Sequence, residues 1–480
     1  MTPSLVFLLD DLIAEVLSFL PVKPLLRFKS VSKSWKILIS DPTFVKLHLK
    51  RSAVQNPHFT LIMGHEKFIP GESFYGIDDE SERDYNLVPY PISRLLDNPS
   101  FTLLLDDPYN SVTYYHVNND ICSRIIGSCN GLICLAETSL THDGYQENWR
   151  REYWFRVWNP SIRTTTSEKF GYFYDFGPIS GYGGDFNFKF GFDNSTDTYK
   201  VLAFRYNRLK GNRNIKILGS GDHVWRDIAF FPVVPLRLDY SDHIHSEHCM
   251  CDGVYVSGTF NWLAIHNDLP YRVKNITVEH FVIVSLDLGT ETYNQYLLPL
   301  DEVPSAEPTV GVLGGCLCFS YAYKETDFVI WQMKKFGDED SWSQFLRISY
   351  QNLLIDYDIF DTYFRLVPLL LSKDGDTLIL KSSQEFEAII YHWKDNRVQR
   401  TKITPSRTIT YDRRITNWSL HNNLSLEIPD VSMQYRSHVA FVYVSVLFYN
   451  NLEMPEWNSS RHIGEVLGSS RLCVKSFGHI

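Results

Sequence analysis

By pattern this chain is α+β in segments: a small all-α module at the N-terminus, then a large all-β, propeller-like domain. Three observations lead there. Apolar residues in the first 50 positions repeat at helical spacing. From Ile121 onward, short runs rich in Val, Ile, Phe, Tyr and Trp alternate with turn residues. Roughly 330 residues of strands and turns are large for a sandwich and ordinary for a propeller. The expected division is 1–50 helical module, 51–120 linker and irregular approach to the β domain, 121–450 β domain, and 451–480 C-terminal tail.

The helical module reads in order. Asp10 is a good N-cap for a first helix carrying Leu12, Ile13, Val16, Leu17 and Leu20, which Pro21 ends. Pro24 sits where a first-turn proline is tolerated, ahead of Leu25, Leu26 and Phe28. Ser32 is placed to cap a third helix with Trp35, Leu38 and Ile39, stopped by Asp41-Pro42. A short helix through Phe44, Val45 and Leu47 follows. Between 52 and 120, and especially from Pro70 to Asp84, Gly, Pro, Asp and Ser interrupt every pattern.

The β domain is expected to place strands at Leu132–Ala136, Phe155–Trp158, Phe186–Phe192, Tyr199–Phe204, Thr259–Ile265 and Phe281–Leu286. Further strands are expected at Cys316–Tyr321, Phe328–Met333, Thr377–Leu380, Ala388–Trp393 and Val439–Leu447. Asn130-Gly131, Asp193-Asn194, Gly289, Gly314-Gly315 and Asp374-Gly375 punctuate them. The glycine doublets and aromatic strands recur without even spacing, so no blade count can be read off.

Net charge is −10 over 480 residues, a poor footprint for phosphate-backbone binding, so no nucleic-acid partner is expected. The charge is uneven. Residues 1–51 carry 8 Lys+Arg and 4 Asp+Glu, leaving a basic head on an acidic body, which suits docking on something acidic. The start lacks a signal-peptide pattern, and the longest apolar run, Val439–Tyr449, is too short to span a bilayer. No membrane partner is therefore expected. The 8 Cys are spread thinly, as in a reducing compartment, and the location expected is cytoplasmic and/or nuclear.

The stretch LLDDLIAEVLSFLPVKPLLRFKSVSKSWKILISDPTF, Leu8–Phe44, closely resembles an F-box. The resemblance implies binding to a Skp-type adaptor and, through it, to a cullin-RING ubiquitin ligase. It places Asp10, Asp11, Leu12, Ile13, Val16, Leu20, Pro21, Val22, Leu25 and Val31 on the adaptor face or in its support. Leu8-Leu9 stands where that family has Leu-Pro, which loosens the lead-in to the first helix.

The body resembles the plant F-box-associated interaction domain. The matching pieces are SCNGLICLAE at Ser128–Glu137, VWNPSIR at Val157–Arg163, FGFDNSTDTYKVLAF at Phe190–Phe204 and VSGTFNWLA at Val256–Ala264. VSLDLGTETY at Val284–Tyr293, VGVLGGCLCF at Val310–Phe319 and FVIWQMKKFG at Phe328–Gly337 complete the series, in the family's usual order. The fold implied is kelch-like or propeller-like. The function implied is substrate recognition for a ubiquitin ligase, with a protein target that the sequence does not identify.

Other chemistry is thinly represented. Asp10 and Asp11 at a helix start are dipole partners rather than an acid–base pair. His243, His245, His248, Cys249 and Cys251 match no familiar zinc spacing and read as a solvated loop, so no metal site is expected. The elbow, phosphate-loop, zincin and dinucleotide signatures are all missing, and no cofactor or catalytic residue is expected. The contrasting reading is a propeller-type hydrolase or carbohydrate-binding module with an incidental helical bundle in front. A third reading keeps the F-box but gives the body a role in regulating other ligases or in pollen recognition.

Overall fold

The computed structural model describes residues 10–20, 22–55, 59–69, 82–91, 113–115, 121–142, 149–159, 164–166, 169–177, 186–207, 212–236, 253–266, 276–355, 366–372, 374–382, 387–402 and 440–446. Four helices come first: α1 (Asp10–Leu17), α2 (Val22–Phe28), α3 (Lys33–Ser40) and α4 (Pro42–Gln55). Leu17, Leu25, Ile39 and Phe44 form their core, with Ile13, Leu20, Phe28, Trp35, Leu38 and Val45 packed around it. Phe28 and Trp35 meet edge to face at 5.4 Å, an arrangement their ring quadrupoles favour.

Local chemistry explains the helix ends. Ser32 caps α3 by accepting from the Trp35 amide at 3.1 Å, as its position predicts. Asp41 then accepts from the Thr43 amide at 2.8 Å and opens α4. Those hydrogen bonds, led by the Thr43 amide, hold the Asp41 carboxyl below its usual range. Pro24 lies in the first turn of α2, where the missing amide costs nothing. Asp10 is the first residue of α1 rather than the residue before it. α4 differs more: it has 14 residues and crosses the expected boundary at 50, because the next breaker in the sequence is Asn56-Pro57. Pro21 lies outside the described residues.

Among the described residues, twenty-five strands make six antiparallel sheets. The innermost strands of blades two to six are Ile121–Cys129, Asn187–Asp193, Val254–Val256, Thr309–Leu313 and Leu366–Leu371. Each blade then runs outward in chain order; blade three runs outward to Arg226–Asp227, and blade two carries an extra strand, Phe170–Gly177, paired to Trp149–Asn159. Blade one is assembled differently. Its innermost strand is Ala440–Val446, from the far end of the chain, paired antiparallel to Phe59–Ile69. Contacts between inner strands link blades one to two, two to three, four to five, five to six and six to one, and the inner strand of blade three meets Thr259–Ile265 of blade four. The sheets thus close into a ring, which leaves only short edges turned toward its centre. All eleven strands anticipated from the sequence fall on observed strands.

Within residues 51–120, the entry to the β domain, lie Phe59–Ile69, Glu82–Pro91 and Thr113–Tyr115, three strands of blade one. Their signal was masked because Gly64-His65-Glu66-Lys67 interrupts the apolar alternation and because the strand that completes the sheet lies some 370 residues downstream.

Blade seams explain why glycines recur without an even period. A β-carbon on Gly127 would stand 2.8 Å from the Phe190 carbonyl oxygen of the next blade. One on Gly191 would stand 2.8 Å from Tyr255 Cδ2 and 2.9 Å from Phe260 Cζ. Tyr255 cannot easily yield, since its hydroxyl donates to the Phe192 carbonyl at 2.7 Å. Gly191→Ala should therefore lower the unfolding free energy by about 1–3 kcal/mol, the usual cost of overpacking. An unchanged urea midpoint would show that this seam opens freely.

Candidate docking surface on the helical head

Burial divides the side chains anticipated for the head's docking face. Leu25 is buried, and Ile13 and Leu20 pack against the same core, so these three shape the module from inside. Leu12 is 51% exposed, Val16 63% and Val31 60%, and Asp11 is also exposed. The side chains of Asp10, Pro21 and Val22 lie outside the described residues.

Two exposed apolar residues escaped the sequence reading. Phe19 is 41% exposed and Ile37 is 72% exposed. Phe19 could have been found from its offset of three from Val16, which continues one helical stripe. Ile37 sits between Trp35 and Leu38, whose core packing disguises its outward direction. Of the nine large hydrophobics with such exposure among the described residues, five lie between residues 12 and 37. Single exposed apolar residues are ordinary, but such a concentration on four short helices marks an interaction surface. Exposed Arg27, Lys33 and Lys36 accompany it, giving the surface its basic character.

α4 braces this surface from behind. His48 is 1% exposed, and its Nε2–H donates to the Leu20 carbonyl at 3.0 Å. Burial holds its pKa below the ordinary imidazole value, so the neutral ring is the form accommodated. Lys46 pairs with Asp197 in the first hairpin turn of blade three, a contact between head and body.

The body's most charged cluster is structural. Lys200 Nζ donates to the Leu288 carbonyl at 2.5 Å and lies 3.1 Å from Asp193 and 3.2 Å from Glu291. Arg226 closes on Glu291 through both guanidinium nitrogens, at 2.7 and 3.1 Å. Burial pushes the Asp193 carboxyl up, but donors from Ser195, Thr196 and Lys200 outweigh it and hold it well below the carboxylate range. The charges satisfy one another across the seam of blades three and four, which fits a strap rather than an acid–base site.

Nor do the three buried thiols, Cys129, Cys134 and Cys318, look nucleophilic. Burial pushes Cys129 up to about 12, raises Cys134 well above its ordinary value and raises Cys318 as well. The His243–Cys251 segment lies outside the described residues; among the described ones no cluster of His, Cys, Asp and Glu could hold a metal ion. Among the described residues no helix is long and apolar enough to cross a membrane.

A four-helix head with an exposed apolar face, carried on a closed ring of six sheets, is the build of a two-part protein. Sequence comparison gives the family. Residues 105–418 match the F-box associated beta propeller domain and residues 8–47 match the F-box domain, so the chain belongs to the F-box proteins with an associated β-propeller. Among its relatives in Arabidopsis thaliana is an F-box/kelch-repeat protein, 28% identical over 350 residues that cover 70% of this chain and 78% of that one. The F-box protein CPR1 of the same plant is 22% identical over 383 residues, covering 77% of this chain and 78% of its own.

Proposed function

We propose that this chain is the substrate-recognition subunit of a Skp-cullin-F-box ubiquitin ligase. The head, residues 1–50 with the α4 extension, docks on a Skp-type adaptor. The β domain, which on this reading begins at Phe59 because blade one includes the strands before 121, captures a protein target. The observation that carries the reading is the concentration of exposed apolar side chains inside the F-box match. Leu12, Val16 and Val31 make the contact; Ile13, Leu20 and Leu25 support it from the core; Asp10, Asp11, Pro21 and Val22 complete the set that the family resemblance assigns.

Catalysis by this chain is not required. Holding a target beside a ubiquitin-charged enzyme raises its effective concentration, which makes transfer quasi-intramolecular. Ubiquitin therefore passes without a thioester on this chain, in keeping with the buried, protonated state of Cys129, Cys134 and Cys318. On this reading the protein works in the cytoplasm or nucleus.

Reconstitution tests the reading. The purified full chain should co-elute with a recombinant Skp-type adaptor and cullin–RING pair, and no reductant-sensitive ubiquitin adduct should form on it. Failure to co-elute, or a ubiquitin adduct lost on adding thiol, would sink the proposal.

A further inference from the structure

The F-box match ends at residue 47, yet α4 continues to Gln55. The hydrogen bonds at the end of α1 show what that extension does. A helix leaves its last carbonyls without intrahelical partners. Here the Ser18 amide takes the Ala14 carbonyl at 2.9 Å, the Phe19 amide takes Val16 at 3.2 Å and the Leu20 amide takes Leu17 at 3.1 Å. Ser18 Oγ donates to the Glu15 carbonyl at 2.7 Å.

Residues beyond 47 supply the rest. His48 holds the Leu20 carbonyl. Arg51 Nη1 donates to Ser18 Oγ at 2.8 Å and to the Glu15 carbonyl at 3.3 Å, while Nη2 pairs with the Glu15 carboxylate. The same guanidinium lies 4.5 Å from the centroid of the Phe19 ring. A cation over a ring face is attracted by the ring's quadrupole, and it fixes the ring plane.

Phe19 belongs to the exposed stripe. Leu12 and Val16 fall within about 40° of each other around the α1 axis, and Phe19, two residues past the end of α1, stays on Val16's side because its amide bonds the Val16 carbonyl in a tightened three-residue turn. One face of Phe19 is covered by Arg51, and the side chain is still 41% exposed beside Leu12 and Val16.

We propose that Arg51 is a positioning residue for adaptor docking. It fixes the Phe19 ring so that its exposed surface joins Leu12 and Val16 in one contact, and the docking unit therefore extends past the F-box segment into the end of α4. The inference rests on the adaptor reading above. The occupant is the Skp-type adaptor, because Phe19 lies within the F-box match and adjoins Leu12 and Val16, which the family resemblance assigns to that contact.

The test is a double-mutant cycle in the full chain, titrated with a recombinant Skp-type plant adaptor. Phe19→Ala should weaken binding roughly tenfold, the scale of truncating one interface aromatic. Arg51→Ala should weaken it by a similar factor, and the double variant should be no weaker than Phe19→Ala alone. Arg51→Lys keeps the charge without the planar fork and should fall between wild type and Arg51→Ala. A merely structural role would lower the fraction of competent protein and make the two losses multiply, which overturns the proposal. Unchanged affinity in Arg51→Ala also overturns it. Should Arg51→Ala not fold, the cycle is run with Arg51→Lys, and the same coupling with Phe19 decides. Wild-type protein that binds no adaptor would instead overturn the adaptor reading, and this inference with it.

Discussion

Replacing Leu12 and Val16 together by Asp in the full chain should abolish adaptor binding while leaving the unfolding of the head unchanged. Both side chains are more than half exposed, so the folded module gives up little by losing them. In the complex each would be buried. Burying a Leu or Val fully is worth about 1.5–3 kcal/mol, so two losses weaken binding by at least about 100-fold. The introduced carboxylates add a desolvation cost. Leu25→Ala supplies the contrast: Leu25 is 5% exposed within the core, and its truncation should destabilise the head by about 2–5 kcal/mol. Biolayer interferometry for affinity and a thermal melt for folding separate the two effects. Full affinity in the Leu12→Asp, Val16→Asp variant would remove α1 from the interface.

A chain ending at Arg436 should fail to hold a closed propeller. It would lack Ala440–Val446, the innermost strand of blade one and its contact with the inner strands of blades two and six. Phe59–Ile69 would keep its outer partner, Glu82–Pro91, but lose the inner one, leaving a gap in the ring between blades two and six. The expected result is a low-solubility protein, or a soluble one that unfolds in more than one step because the ring no longer transmits cooperativity between its ends. Size-exclusion chromatography and urea unfolding of the full-length and truncated chains provide the measurement. A truncated chain with the full-length midpoint and a single transition would show that the last strand contributes nothing to closure.

The elements most legible in the sequence were those buried on both faces. Thr259–Ile265 was anticipated to the residue: all its positions are buried, and within it only Asn261 breaks an apolar run from Phe260 to Ile265. Its neighbour two strands out, Tyr293–Leu297, alternates through exposed positions and carries Asn294 and Gln295, which leaves little apolar signal. Trp342–Ser349 is an outer strand for the same reason: only its Ile348 is buried. Inner and middle strands declare themselves by composition, whereas rim strands are recognised only through the ladder they join.

On the head, the sequence by itself determined the helices, the Ser32 cap and the apolar positions, because those depend on spacing and on interactions across three or four residues. It also determined the family, through motifs whose order is fixed along the chain. Only the tertiary structure decided which apolar residues of α1 and the turn after it face inward with Leu17 and which remain exposed with Leu12, Val16 and Phe19, because that depends on where α3 and α4 pack. It alone decided the number of blades, and that Ala440–Val446 returns to Phe59–Ile69. Strand pairing over so great a separation leaves no local trace: either strand pairs equally well by composition with many others, and closure of the ring selects the partner.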